Sequence, residues 1–208
     1  MDNITPSKNG KRPGLLVIQE WWGVNDHIRD VARRLQNEGF ITVPVDMYDG
    51  KVTKDPEVAR GLMMAMDKNA AIEKLNAAVK SLIANPEVSN VGSIGFCMGG
   101  FLTLSLACQN SELKAGVAFY GNVPPDASLA KVSAPILYIY GEKDQHIPAS
   151  EIDRLEQSMK RAGKTCQVVR YPKSDHAFFN DTRKEVYNPT DAKDAWERSV
   201  AFLRKNLG

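Results

Sequence analysis

Gly95-Phe96-Cys97-Met98-Gly99-Gly100 closes an apolar run, Val91 to Ile94, and leads straight into a second one, Phe101 to Ala107. The pattern is the G-x-S-x-G nucleophile elbow with cysteine in the serine position. A nucleophile set on a sharp strand-to-helix turn has a strained backbone and needs small neighbours. Gly95 and Gly99 stand two residues to either side of Cys97, and Gly100 adds room. A helix starting near Met98 points its N-terminal amides at the thiol, which favours a thiolate. The plain alternative for Cys97 is a small buried hydrophobe in a tight turn. Residues elsewhere in the chain decide between the two.

A cysteine nucleophile needs a base to take its proton, and the base needs a group to fix its tautomer. His176, in Ser174-Asp175-His176-Ala177-Phe178, is the expected base, and Asp144, in Gly141-Glu142-Lys143-Asp144, the expected orienting acid. Their plain alternatives are a surface histidine and a turn aspartate. Asp175 is a poorer orienting group, because immediate sequence neighbours rarely face each other. His27 and His146 read as structural or exposed. Ser93 and Ser105 lie inside regular elements and do not compete with Cys97. The oxyanion of a tetrahedral intermediate would need convergent backbone N–H groups, expected from Met98 and Trp21.

These residues must be carried by a scaffold. Strand-length apolar runs occur at Gly14–Gln19, Ile41–Asp46, Val91–Phe96, Ala115–Tyr120, Pro135–Tyr140 and Gln167–Tyr171. Between and after them fall helical stripes: Ile28, Val31, Ala32 and Leu35; Ile72, Leu75, Val79 and Leu82; Ile152, Leu155 and Met159; Trp196, Val200 and Leu203. Residues 1–12 read as a polar lead-in, and Met47 to Met66 is the least regular segment. Alternating strands and helices predict an α/β fold: one domain over residues 1–208, with a mainly parallel sheet of about six strands and helices on both faces. Ligands of such sheets bind beyond the carboxyl ends of the strands. Glu20, Cys97, Asp144 and His176 all follow strands.

Composition narrows the function. Lys+Arg 27 against Asp+Glu 25 gives a formal charge of +2 with no basic stripe, so neither nucleic acid nor an anionic membrane is suggested as a partner. The three cysteines, Cys97, Cys108 and Cys166, lack C-x-x-C spacing, and the three histidines lie far apart. No disulfide framework, metal site or cofactor is expected. A resolving partner for a redox thiol is also poorly placed. With no apolar leader and no membrane-spanning run, a cytoplasmic setting is expected, with the chain a monomer or weak homodimer.

Taken together, Gln19-Glu20-Trp21-Trp22-Gly23-Val24-Asn25, Asp46-Met47-Tyr48, the Cys97 elbow, Phe119-Tyr120-Gly121, Gly141-Glu142-Lys143-Asp144 and Asp175-His176-Ala177-Phe178 resemble the dienelactone hydrolase (carboxymethylenebutenolidase) family from Gly14 onward. The resemblance implies an α/β-hydrolase fold and a Cys–His–Asp triad of Cys97, His176 and Asp144, with Glu20 helping to activate the thiol. The order nucleophile, acid, base agrees with that fold. Three departures stand out. Pro56 occupies the place of a substrate-carboxylate arginine, with Arg60 a turn later as its possible substitute. Phe179-Asn180 stands where a second arginine is expected. The lead-in before Gly14 is short, so the family's N-terminal antiparallel strands are expected to be missing.

The thiol itself restricts the substrate. In a tetrahedral intermediate a thiolate leaves more readily than an alkoxide, so attack on an alkyl ester mostly reverses. The expectation is therefore a hydrolase of small activated esters: enol-lactones first, aryl esters or thioesters next. A binding module that keeps the fold without turnover is the competing class. Trp22, Tyr48, Tyr120 and Phe178 are expected to line a small apolar pocket, and Met63, Met64 and Met66 to be core filler.

Overall fold

The computed structural model describes residues 10–208. Six strands, β1 (Arg12–Ile18), β2 (Ile41–Val45), β3 (Val88–Phe96), β4 (Leu113–Phe119), β5 (Ile136–Gly141) and β6 (Cys166–Tyr171), form one sheet in the order β2-β1-β3-β4-β5-β6. Every pairing is parallel, with Ile18 against Val45 and Gly95, Phe96 against Phe119, and Gly141 against Tyr171. The expected lead-in falls mostly on residues 1–9, outside the described residues. Among the described residues no strand runs antiparallel.

The helices are α1 (Asp26–Asn37), α2 (Pro56–Ala65), α3 (Lys68–Ala84), α4 (Met98–Ala107), the short α5 (Asp126–Leu129), α6 (Ala149–Arg161) and α7 (Pro189–Leu207). Side chains alternate along β1. Leu16 and Ile18 enter a core with the buried stripes of α3, α4 and α6. Leu15 and Val17 enter the opposite core, with Ile28, Val31 and Leu35 of α1 and Val200 and Leu203 of α7. A strand buried on both faces therefore reads as an unbroken apolar run. Pro44 costs little in β2, because β2 is a sheet edge and pairs only with β1.

The segment read as irregular contains α2. Asp55 caps it, accepting hydrogen bonds from the N–H groups of Glu57 and Val58, and Pro56 opens its first turn. Its Val58 and Met64 are exposed, so it lacks the buried stripe by which helices are recognised in a sequence.

The chain runs from β1 outward to β2, then crosses back to β3 on the other side of β1. The direction of winding thus changes between β1 and β3. A crevice opens at the carboxyl ends of the strands at such a point.

Candidate active site

Cys97 occupies the turn between β3 and α4 with φ 52° and ψ −113°, a left-handed backbone that a residue with a Cβ adopts only when its surroundings force it. The forcing contacts are visible. The Cys97 N–H bonds the carbonyl of Phe119 at 3.0 Å, and its own carbonyl accepts from Gly100 and Phe101. A Cβ on Gly95 would lie 2.0 Å from the Gly99 carbonyl oxygen, and one on Gly99 would lie 2.3 Å from that of Ile18. The elbow packs backbone on backbone, and only glycine fits.

Cys97 opens onto a cleft of about 360 Å³, walled by Trp21, Trp22, Met98 and Tyr120 and carrying Glu20, Asn122, His146, His176 and Arg183. Cys97, Tyr120 and Ala177, three of the four described non-glycine residues with positive φ, border it. Such strain concentrates where side chains must be aimed.

His176 comes from the loop after β6. Its Nδ1 lies 2.7 Å from Oδ2 of Asp144, whose side chain is wholly buried after β5. The other carboxylate oxygen, Oδ1, accepts from the N–H groups of His146 at 2.7 Å and Ile147 at 3.0 Å. Burial by itself would push the His176 imidazole down. Hydrogen bonds with Asp144 and Cys97, and the charges of both, outweigh it and push the imidazole up to about 10. The His176 loop is braced against the start of α7: Ser174 Oγ donates to Asp191 Oδ2 at 2.6 Å, and Asn188 Nδ2 donates to Ser174 Oγ at 3.1 Å.

Glu20, beyond the end of β1, is 1% exposed. Its Oε2 accepts from Asn180 Nδ2 at 2.7 Å and its Oε1 from the Tyr120 hydroxyl at 3.4 Å. Burial, followed by the Glu20 and Cys97 charges, holds the Tyr120 hydroxyl far above the ordinary tyrosine range, so it remains a donor. Met98, the first residue of α4, and Trp21, just past β1, both border the cleft. Neither N–H takes part in a backbone hydrogen bond of the described turns and caps.

The cleft brings together Cys97, His176, Glu20, Trp21, Met98, Trp22 and Tyr120, with Asp144 directly behind His176. It does not include three residues expected in it. Arg60 is exposed and ion-paired with Glu57 one turn earlier on α2. Tyr48 is buried, donates to Met98 Sδ at 3.2 Å and is pushed up to about 12, first by burial and then by Cys97. Phe178 is completely buried between Tyr120 and Tyr171. Both aromatics stand one layer beneath the wall, supporting it.

Met63 and Met66, read as core filler, do pack against the core, but Met63 also lines the cleft together with Pro56, while Met64 points outward and is 77% exposed. His146 borders the cleft as well. Its partner in the structural-or-exposed reading, His27, is buried against Phe96 and Phe179, 3.4 Å from Asp181 but outside hydrogen-bonding geometry. Asn180 and Arg183 are the functional candidates that sequence reasoning missed. Arg183 belongs to no motif. Asn180 had a signal, since it stands where the resemblance expected an arginine.

Burial pushes Cys108 up to about 11 and Cys166 up to about 12, so both remain inert thiols. Among the described residues no group of three or more His, Cys, Asp or Glu is placed to hold a metal. No described helix is long and apolar enough to cross a membrane.

Known proteins resemble this chain in sequence and in fold. The family model for the dienelactone hydrolase family matches residues 3–207. A Methylorubrum extorquens protein provisionally named a carboxymethylenebutenolidase is 35% identical over 217 residues, covering 96% of this chain and 74% of its own. A structure from Klebsiella pneumoniae, provisionally titled a dienelactone hydrolase, superposes with a TM-score of 0.86 at 31% identity, covering 94% of this chain and 88% of that one. A dienelactone hydrolase-like promiscuous phosphotriesterase from metagenomic libraries gives a TM-score of 0.88 at 26% identity, over 95% of this chain and 88% of its own. With a six-stranded parallel sheet, an elbow at the end of β3 and a family match over nearly its whole length, the chain belongs to the dienelactone hydrolase family of ester and lactone hydrolases.

Proposed function

We propose that the chain hydrolyses small activated esters, enol-lactones foremost, through Cys97, His176 and Asp144 and a thioester acyl-enzyme. The observation that carries this is the convergence on one cleft of Cys97, at a strained elbow, and His176, whose Nδ1 lies 2.7 Å from Asp144. With Glu20 held by Asn180 and Tyr120, the proton of Cys97 goes to His176, leaving a thiolate beside an imidazolium. Sulfur bonds the substrate carbonyl carbon, and the oxygen that gains the electron pair is met by the N–H groups of Met98 and Trp21.

Collapse of the intermediate breaks the bond to the leaving oxygen, which takes the proton from His176 Nε2. Water then attacks the thioester and gives its proton to the same nitrogen; the carbon–sulfur bond breaks, its electron pair returns to Cys97 as a thiolate beside the imidazolium, and the acid is released. Asp144 keeps the imidazole in this orientation throughout. Arg183 is the cation within the cleft, so an anionic substituent on the substrate has a partner there. The aromatic wall and the small volume suit a compact, planar acyl group.

The test is pre-steady-state hydrolysis of 4-nitrophenyl acetate. A burst of nitrophenol stoichiometric with enzyme, absent in Cys97→Ala, is expected, together with far slower turnover of ethyl acetate. A burst that survives Cys97→Ala, or equal rates on the two esters, would remove the basis for a thiol nucleophile.

A further inference from the structure

We infer that His146 is a second imidazole acting in the reaction, donating a hydrogen bond to the departing oxygen of the substrate and so selecting oxygen over sulfur leaving groups. This rests on the hydrolase reading above.

Asp144 positions two histidines at once. Its Oδ2 holds the His176 ring, while its Oδ1 fixes the backbone N–H of His146 at 2.7 Å and that of Ile147 at 3.0 Å. The Tyr140 hydroxyl donates to the Ile147 carbonyl at 2.9 Å, which pins the far side of the same turn. A loop anchored at three points leaves the His146 side chain little freedom in where it is carried. That side chain, His146, is exposed at the mouth of the cleft, its ring centroid 5.0 Å from that of His176 and nearly perpendicular to it. No hydrogen bond of the described residues uses either of its ring nitrogens.

The side of the cleft is as informative as the distance. The imidazole that protonates a leaving atom must lie on the side from which that atom departs. His146, edge-on to His176, shares that side. As the carbon–oxygen bond breaks, its electron pair passes to oxygen, and His176 Nε2 gives up its proton to it. His146 contributes an N–H hydrogen bond to the same oxygen and keeps its own proton. Sulfur accepts hydrogen bonds weakly, so a departing thiolate gains little from His146.

The experiment compares wild type, His146→Phe and His146→Gln on aryl acetates running from 4-nitrophenyl to phenyl, and on phenyl thioacetate. The quantity read is kcat/KM, which reports steps up to the first irreversible one, here acylation. His146→Phe keeps a flat ring but no donor. It is expected to lose about tenfold on phenyl acetate, much less on 4-nitrophenyl acetate, and nothing on the thioester. His146→Gln, which keeps a donor, should recover most of the phenyl acetate rate. A uniform loss across all substrates, thioester included, would show that the ring only shields His176 and would overturn the inference. No loss at all would overturn it too. A wild type inert on every ester would overturn the hydrolase reading itself and the role of His146 with it.

Discussion

Asn180 Nδ2 donates to Oε2 of Glu20 at 2.7 Å, joining positions 160 residues apart beneath the floor of the cleft. Each residue is 1% exposed, so neither can turn to water if the other is lost. Asn180→Ala should therefore cost about 1–3 kcal/mol in urea unfolding, the penalty of leaving a buried polar group without its partner. Asn180→Asp, which sets a second carboxyl against Glu20, should cost more. The opposite order would mean that the asparagine matters for its packing and not for its donor.

The His176 pair makes stability depend on pH in a stated direction. The imidazole rises from 6.5 in an unstructured chain to about 10 in the fold. A group raised on folding stabilises fully below its unfolded value and loses that contribution as pH climbs through the folded one. The stability gap between wild type and His176→Gln should be widest below pH 6.5 and shrink steadily towards pH 10. Urea midpoints for both proteins across that range check it. A gap that is flat with pH would mean that the imidazole holds no proton it would not hold unfolded.

Both predictions draw on residues that were unequally legible in the sequence. Cys97, Asp144, His176 and Glu20 could be read because each follows an apolar run, and the carboxyl ends of parallel strands share one rim of the sheet. The two cores were legible for the same reason: strands buried on both faces are continuous runs, and α1, α3 and α6 carry single stripes. Helix α2 carries none, since its exposed Val58 and Met64 blur the period, and only the Asp55-Pro56 start marked it. Arg60 and Arg183 were beyond reach for a different reason. Whether an arginine points into a cleft depends on how a loop or a half-exposed helix is set down, and neither obeys a periodicity.

Two glycines give opposite expectations from one substitution. A Cβ on Gly95 would overlap the Gly99 carbonyl, so Gly95→Ala forces β3 and α4 apart and should cost at least about 3 kcal/mol. Gly61 lies inside α2 with nothing within 4 Å of an added Cβ. Gly61→Ala should raise stability by about 0.5–1 kcal/mol through helix propensity alone. Thermal melts of the two single variants decide the matter. A tolerated Gly95→Ala would show that the elbow is looser than its contacts imply.

Arg183 and Arg60 make a paired test of what the cleft recognises. The Arg183 Nε donates to Glu185 at 2.8 Å, leaving the two terminal nitrogens of a partly exposed guanidinium with no hydrogen-bond partner among the described residues. Its Cζ lies 6.0 Å from the Trp22 ring centre, which keeps it over the cleft wall. Arg60 spends its charge on Glu57 at the surface. If Arg183 meets a substrate carboxylate, Arg183→Gln should raise KM for carboxylate-bearing aryl esters roughly ten- to a hundredfold, the range for a hydrogen bond to a charged group. Neutral esters should be nearly unaffected, and Arg60→Ala should change neither class. Steady-state kinetics on matched pairs of esters measure this directly. Equal effects of Arg183→Gln on charged and neutral esters would make Arg183 part of the wall, and a selective effect of Arg60→Ala would move the anion site onto α2.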